Sequence, residues 1–278
     1  MFGVVMGLFD PQTSKASAYA SQGQARWQQA WVVPVSLIIA VGLWGLVADA
    51  SRLPAFMLPS PVGVWSRLMR ALTDGSLARN TLVTLTEVLG GLGLGMAVAL
   101  SLGYALAKSP TAERLLAPYI VASQSVPTVA IAPLLVIWFG PGMFSKILVA
   151  ALIVFFPVLV NSIVGVRSVP EELKDLMRSL RATRWQVFAK LEAPAAMPVI
   201  LGGLKIGATL SVIGAVVGEF VGSDAGLGFL INVGRGQYDT ALVFVAILVL
   251  VVMALGLYTI VDRLERRLLR WRSDQVRE

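Results

Sequence analysis

Residues 169–198 read VPEELKDLMRSLRATRWQVFAKLEAPAAMP, a charged, helix-forming segment between two long apolar runs. Apolar runs of that length lie inside a bilayer, so the polar segment between them is expected at a membrane surface. Counted with the neighbouring arginine, its cationic residues are Arg167, Lys174, Arg178, Arg181, Arg184 and Lys190. The pattern predicts a surface element that a component outside the lipid recognises.

Two short helices are predicted within this segment. A proline followed by three acidic residues suits a helix start, because acids are favourable near the positive end of the helix dipole. Ala182 and Thr183 precede a second helix over residues 184–192. We expect Pro194 and Pro198 to close that helix before the next apolar run. From this pattern alone, the segment is either a loop lying on the headgroups or a docking surface for a soluble subunit.

The composition predicts a polytopic membrane protein. Of the 278 residues, 56% are hydrophobic and 14% are charged, whereas soluble proteins carry about 25% charged residues. Backbone groups in hydrocarbon must bond within their own segment, so the long apolar runs are expected to be helices. We expect a polar tail at 1–29 and a single transmembrane domain over 30–278. The six predicted spans are residues 31–48, 82–107, 117–138, 147–166, 199–221 and 241–261.

Several kinds of chemistry are excluded by residue types that are missing from the sequence. The chain has no cysteine and no histidine, which removes thiol chemistry, disulfides, histidine acid–base catalysis and most transition-metal sites. It also lacks the glycine-rich P-loop that binds nucleotide phosphates. The net charge of +7 is attributed to cytoplasmic loops that meet anionic headgroups, and not to nucleic acid.

The distribution of lysine and arginine predicts the orientation. With the N-terminus inside, inner segments hold 16 of the 23 basic residues and outer segments hold 6. This asymmetry places both termini in the cytoplasm. The first outer loop carries four arginines and locally favours the reverse orientation, but the segment at 167–198 and the C-terminal tail together hold twelve basic residues.

Ionisable and polar residues within the apolar runs are candidates for function, because they are costly in a membrane. Glu87 and Glu219 lie near outer ends, and we hypothesise that they face a translocation path and disfavour anionic cargo. The alternative is an interfacial carboxylate hydrated among the headgroups.

Three more polar residues are assigned with Glu87 and Glu219 to the candidate translocation path: Lys205 and Asn161 in the inner half, and Gln124 at a proline break. Lys205 and Asn161 are expected at similar depth, either bonded to each other between spans four and five or with the lysine extending to the surface. Gln124, close before Pro127, is predicted to line a cavity, with ordinary helix packing as the alternative.

The segment at 169–198 resembles the EAA loop of the inner-membrane permeases of binding-protein-dependent ABC importers. Asp175, Leu176 and Met177 occupy the place of the E-A-A triplet. Arg181 stands at the usual glycine, and residues 191–194 stand at the terminal position. Arginine adopts a positive φ less freely than glycine, so we expect a more helical turn than is usual in the family. We call residues 169–198 the coupling loop.

Further motifs of the same family follow in order and at family spacing over about residues 58–271. One departure is Glu87, where many members have arginine. The chain is similar to the nitrate, sulfonate, taurine and pyrimidine-precursor branch. The motifs are LPSP at 58–61, VPTVAIAPL at 126–134, WFG at 138–140, SKI at 145–147, EF at 219–220, GLG at 226–228, and LERR at 264–267 with Trp271.

The resemblance implies an all-α fold with six transmembrane helices, a type-I importer core and a cytoplasmic helix–turn–helix. It implies a non-enzymatic permease in a bacterial inner membrane, with no cofactor in this chain. The implied partners are ATPase subunits that hold ATP and Mg, an extracytoplasmic solute-binding protein, a second permease subunit that we expect to be another copy of this chain, and the lipid bilayer, but no nucleic acid. The residues predicted to contact the ATPase are Asp175, Leu176, Met177, Leu180, Arg181, Ala182, Trp185, Phe188 and Pro194.

The resemblance favours a pyrimidine or thiamine precursor, or another heteroaromatic vitamin-like compound, as cargo. Nitrate, sulfonate or taurine is the alternative within the family. From other classes, a secondary transporter would need an ion-coupling site at the midplane, whereas the carboxylates here lie near the outer end. A membrane enzyme is disfavoured by the absence of histidine, cysteine and clustered carboxylates.

Overall fold

A computed structural model describes Val32, residues 34–51 and residues 53–270 of the chain. The predicted polar tail at 1–29 and Trp271 lie outside the described residues. The chain divides into two compact units, Met1–Gly63 and Val64–Glu278. The described helices are α1 Pro34–Ala50, α2 Pro61–Thr73, α3 Ser76–Lys108, α4 Pro110–Gln124, α5 Thr128–Phe139, α6 Met143–Arg167, α7 Glu171–Ser179, α8 Arg184–Val187, α9 Ala193–Gly222, α10 Leu227–Gly236 and α11 Thr240–Leu268.

Four helices of the second unit are long and apolar enough to cross a membrane: α3, α6, α11 and the continuous helix Arg184–Gly222. They contain four of the predicted spans, which are confirmed as long apolar helices. In the first unit, α1 is apolar but has 17 described residues, fewer than the roughly 20 that usually span a bilayer. The described part of the chain therefore has four candidate spans, or five if the bent pair α4–α5 counts as one.

The third apolar run is not one straight helix, because the predicted span over 117–138 is broken into two helices. Helices α4 and α5 meet at an angle of 94°. Pro127 lies between them; it has no N–H to continue a helix and disfavours helical geometry at the residue before it. The N–H groups of Ser125 and Val126 instead bond to carbonyls three residues back. Polar backbone is therefore concentrated at this break.

Helix α6 forms the centre of the second unit, with α3 and α9 packed against it. Ala150 of α6 is fully buried. A side chain at Gly91 of α3 or at Gly214 of α9 would overlap atoms of Ala150. Small residues therefore let both neighbouring helices approach α6 closely, and van der Waals contact over that length stabilises the three-helix core.

The helix that follows the coupling loop is longer than predicted. Pro194 and Pro198 do not close it, because the helix runs without a break from Arg184 to Gly222. A π turn at Phe188–Glu192 precedes Pro194, and the N–H of Ala193 bonds to the Phe188 carbonyl five residues back. This wider turn places a proline without an N–H inside a continuous helix. The second helix of the coupling loop is thus continuous with α9.

Candidate coupling loop and buried polar clusters

The first helix of the coupling loop, α7, is a charged surface helix. Lys174 donates a 2.9 Å hydrogen bond to Glu171, and Arg178 donates a 2.6 Å bond to Asp175. The hydrogen bond from Lys174 lowers the pKa of Glu171. Both acidic residues are exposed, so these pairs add little to stability. On the same helix the apolar residue Leu176 is 53% exposed.

The turn after α7 is left-handed at the position where the family has glycine. Arg181 has a φ of 51°, so the expectation of a more helical turn was wrong. The N–H of Ala182 bonds to the carbonyl of Met177, and the N–H of Arg181 bonds to that of Arg178. This pair of bonds is the glycine-type helix ending, here formed by arginine against its intrinsic preference.

The second helix of the loop begins with a reciprocal cap. The Thr183 hydroxyl accepts a bond from the N–H of Gln186, and the Gln186 side chain accepts one from the N–H of Thr183. Leu180 and Trp185, on either side of this cap, are 67% and 72% exposed. Large apolar side chains at a capped, rigid hairpin form a surface suited to a protein partner.

The coupling loop is joined to α3 by a residue that the sequence patterns did not single out. Glu192, in the π turn, is 2% exposed. Its carboxylate forms an ion pair with Lys108 and accepts a 3.1 Å hydrogen bond from the Tyr104 hydroxyl. Phe188 packs edge-on against Tyr104, with ring centres 5.3 Å apart. The only sequence signal for this contact was a charged residue next to an apolar run.

At the other end of the bundle, Glu219 holds α9 to α3. Its carboxylate accepts a 2.6 Å hydrogen bond from Thr84 and another from the N–H of Gly228. The Thr84 hydroxyl also accepts a 2.8 Å bond from the N–H of Leu227. A side chain at Gly226, whose φ is 111°, would overlap this carboxylate. Glu219 is therefore a structural acceptor that fixes the turn between α9 and α10.

Glu87 and Glu219 do not line an open mouth, which corrects both interpretations of these residues. Each is fully buried within the chain, because α3, α6 and α9 enclose them. Lys146, counted with the outer loops from the sequence, is also buried and lies 3.5 Å from Glu87. Lys146 donates a 2.6 Å hydrogen bond to Ser223. The group is a buried charge cluster that joins three helices.

Lys205 and Asn161 are not bonded to each other, so the predicted brace between them is wrong. Lys205 donates a 2.7 Å hydrogen bond to Asp262 and forms an ion pair with Glu265, both on α11. Asn161 donates a 2.8 Å bond to the carbonyl of Pro157 on its own helix. The lysine instead braces α9 against α11, because Asp262 and Glu265 present opposite charges beside it.

Gln124 is exposed at the end of α4, beside the 94° break. Among the other predicted path residues, Glu87 and Glu219 are buried, and Asn161 and Lys205 are half-buried. Gln124 is therefore the predicted path residue that is exposed in the described part of the chain.

These features define a polytopic helical membrane protein with a rigid surface hairpin between two spanning helices. Residues 91–270 match the family described as binding-protein-dependent transport system inner membrane component. The chain belongs to this family, and it is therefore a non-catalytic permease subunit of an ABC importer. Membership implies an ATPase and a binding protein as partners.

Named relatives of this chain differ in the cargo that their names state. The riboflavin transport system permease protein RibX of Chloroflexus aurantiacus is 47% identical over 241 residues, which are 87% of this chain and 90% of that protein. The formylaminopyrimidine transport permease protein ThiX of Halalkalibacterium halodurans is 32% identical, covering 90% of this chain and 99% of its own. The taurine permease TauC of Escherichia coli is also 32% identical, covering 90% and 94%.

The fold is similar to that of a solved importer. An inward-facing structure of the MetNI methionine ABC transporter matches with a TM-score of 0.62 at 19% identity, covering 70% of this chain and 97% of that chain. At this identity the likeness concerns the fold alone.

Proposed function

We propose that the coupling loop of this permease docks on a separate ATPase subunit and transmits its movement to the spanning helices. The observation that carries the proposal is the exposed apolar pair Leu180 and Trp185 on a capped hairpin that is continuous with α9. None of the other residues predicted to contact the ATPase is buried. Asp175, Leu176 and Arg181 are exposed, while Met177, Ala182, Phe188 and Pro194 are half-buried.

The mechanism follows from differential binding of two states. ATP and Mg held by the partner close the ATPase dimer, and the docked hairpin is carried with it. Because Arg184–Gly222 is one helix, displacement at Trp185 reaches the far end of α9 directly. A ligand shifts such an equilibrium only by the difference in its affinity for the two states. This chain transmits the work of ATP binding and performs no chemistry.

We propose that both termini and the coupling loop are cytoplasmic, in a bacterial inner membrane. The ion pair of Lys108 with Glu192 joins the last residue of α3 to the coupling loop, and Lys205 with Asp262 places the end of α11 on the same side. Basic residues concentrate on that side, which favours the cytoplasm. Six crossings within a single domain over 30–278 then require α1 and the bent pair α4–α5 to cross once each.

The translocation path is proposed to form between two copies of this chain, near the break at Pro127. Exposed Gln124, beside this break, would contact the solute there. Polar backbone at membrane depth is tolerated where it lines a cavity.

The cargo we propose is a heteroaromatic vitamin or vitamin precursor delivered by an extracytoplasmic binding protein, with riboflavin first. This rests on the 47% identity to a permease named for riboflavin and the 32% identity to one named for formylaminopyrimidine. Taurine and sulfonates are the second candidates, because a permease named for taurine is also 32% identical to this chain. Calorimetry of the cognate binding protein with riboflavin, formylaminopyrimidine and taurine separates the three; tight binding of taurine alone would overturn the assignment.

The docking proposal is tested by Trp185→Ala in the complex reconstituted with its ATPase and binding protein. Removal of a central exposed tryptophan should lower ATP-driven uptake about tenfold or more. Trp65→Ala is the matched control, because Trp65 on α2 is 62% exposed and lies outside the loop. Equal uptake by both variants would contradict the docking role. Uptake driven by an ion gradient without the ATPase would favour a secondary transporter.

A further inference from the structure

We infer that Glu192 is the positioning residue that passes the displacement of the coupling loop to α3. The inference rests on the docking role proposed above. It adds α3 to the helices that the loop displaces. Helix α3 is distant from the loop in sequence, so the main chain of α9 does not pass any displacement to it.

The geometry places Glu192 at the point where the loop, α9 and α3 meet. The π turn at Phe188–Glu192 carries the side chain toward the last turns of α3. There the carboxylate binds the ammonium of Lys108 and the hydroxyl of Tyr104, which lie four residues apart on one face of that helix. Two polar groups from α3 therefore converge on one nearly inaccessible carboxylate.

Burial makes this contact hard to break during a transport cycle. Glu192 is 2% exposed, whereas the Lys108 side chain is 44% exposed. Separating a buried carboxylate from its partners leaves an uncompensated charge, which is far more costly than losing a surface ion pair. The lysine stem can follow a moving partner, but the carboxylate cannot move away from its partners without being exposed. The pair therefore keeps α3 and the loop together.

Elsewhere at this end, α3 and the helix Arg184–Gly222 are held apart. A cavity of about 790 Å³ opens beside the contact, and its lining is mostly apolar. Met96 and Leu100 of α3 face it from one side, and Met197 and Ile200 of α9 belong to the same lining. Apolar side chains across an open cavity can slide, so they do not fix the distance between the two helices. The polar contact at Glu192 does.

An aromatic row extends the contact to the exposed tip of the loop. Trp185 packs against Phe188 with ring centres 5.5 Å apart, and Phe188 packs edge-on against Tyr104. The row leads from the side chain proposed to meet the ATPase to the hydroxyl that binds Glu192. Displacement of Trp185 thus acts on α3 through packed rings as well as through the ion pair.

The far end of α3 is also tied to the same long helix. Thr84 donates to Glu219, and the Asn80 side chain accepts a 2.7 Å bond from the N–H of Gly226. With Glu192 at the inner end, α3 and Arg184–Gly222 are joined at both ends across α6. The three helices are expected to move as one body when the loop is displaced.

The first test measures a distance in the otherwise native complex. The chain has no cysteine, so Ser101→Cys on α3 and Lys190→Cys in the π turn, both exposed, accept a pair of spin labels. The distance between the labels is expected to be the same without nucleotide and with ATP trapped in the complex. A change in this distance between the two states would overturn the inference. This test keeps Glu192 in place, so it does not depend on whether a Glu192 variant folds.

The second test measures solute moved per ATP hydrolysed. Glu192→Gln keeps the size of the side chain and removes its charge, and it should lower this ratio about tenfold while the ATPase still binds. The double exchange Lys108→Glu with Glu192→Lys should restore much of the ratio. Glu113→Gln is the matched control, because Glu113 pairs with Arg167 at the same end. An unchanged ratio in a folded Glu192→Gln complex would contradict the inference.

Binding of the ATPase separates this inference from the docking proposal. If Trp185→Ala leaves ATPase binding and uptake intact, the docking role fails and the inference fails with it. If Trp185→Ala abolishes uptake while Glu192→Gln leaves the ratio unchanged and the label distance differs between states, the docking role stands and the inference alone is wrong.

Discussion

The two ends of the α3–α9 pair are held by carboxylates in different surroundings. At the inner end, Glu192 binds a half-exposed lysine beside an open apolar cavity. At the outer end, Glu219 and Glu87 are fully enclosed with Lys146, and Thr84 completes the contact. An enclosed carboxylate supports the fold, whereas one beside a cavity and a solvent-accessible lysine can transmit movement. The difference predicts loss of folding from substitutions at the outer end and loss of coupling at the inner end.

The largest effect is expected from Glu219→Ala. Without the carboxylate, the Thr84 hydroxyl loses its acceptor and the N–H of Gly228 is left buried without one. The cost of breaking such a buried charged contact is about 3–5 kcal/mol, so the variant should unfold on extraction or melt at a much lower temperature. Thermal unfolding followed by size-exclusion fluorescence measures this. Asp224→Ala, in the exposed part of the same turn, is the control and should melt like the native protein.

A smaller effect is expected from Glu87→Gln, although Glu87 is equally buried. Among the described residues its oxygens accept no hydrogen bond, and its polar contact with Lys146 is 3.5 Å long. The carboxylate also lies beside Glu219, so the neutral amide removes a like-charge repulsion that offsets the lost ion pair. The change in stability should be about 1 kcal/mol or less. A loss as large as that of Glu219→Ala would show that the two glutamates are equivalent acceptors.

The smallest effect, and of opposite sign, is expected at the turn of the coupling loop. Arg181 has a φ of 51°, a conformation that costs a residue with a Cβ about 1 kcal/mol relative to glycine. Arg181→Gly should therefore raise the melting temperature slightly. Arg178→Gly, inside α7, is the control and should lower stability by about 1 kcal/mol. A lower melting temperature in Arg181→Gly would contradict the strain at this turn, and weaker ATPase binding would support the predicted contact of Arg181 with the ATPase.

Much of this architecture could be read from local patterns. The length of the apolar runs predicted helices over 82–107, 147–166, 199–221 and 241–261, because a backbone in hydrocarbon must form its hydrogen bonds internally. The helix–turn–helix of the coupling loop was likewise predicted from acids at its start and apolar spacing within it. The break at Pro127 was underestimated, since a proline in an apolar run is compatible with either a kinked helix or a sharp bend.

The turn at Arg181 shows a different limit of local reasoning. The intrinsic preference of arginine disfavours a positive φ, yet the main-chain bonds of Ala182 and Arg181 hold the left-handed turn. A preference of about 1 kcal/mol is outweighed by two backbone hydrogen bonds and the packing of the hairpin. The family pattern was a better guide to this turn than the propensity of the residue.

The sequence by itself determined the class of protein, the family and the position of the surface hairpin, because each depends on composition or on neighbouring residues. Only the tertiary structure decided which charges meet. Lys108 with Glu192 and Thr84 with Glu219 are 84 and 135 residues apart in the chain. Such pairs depend on how each helix is rotated and on which helices become neighbours, and one apolar run taken alone specifies neither.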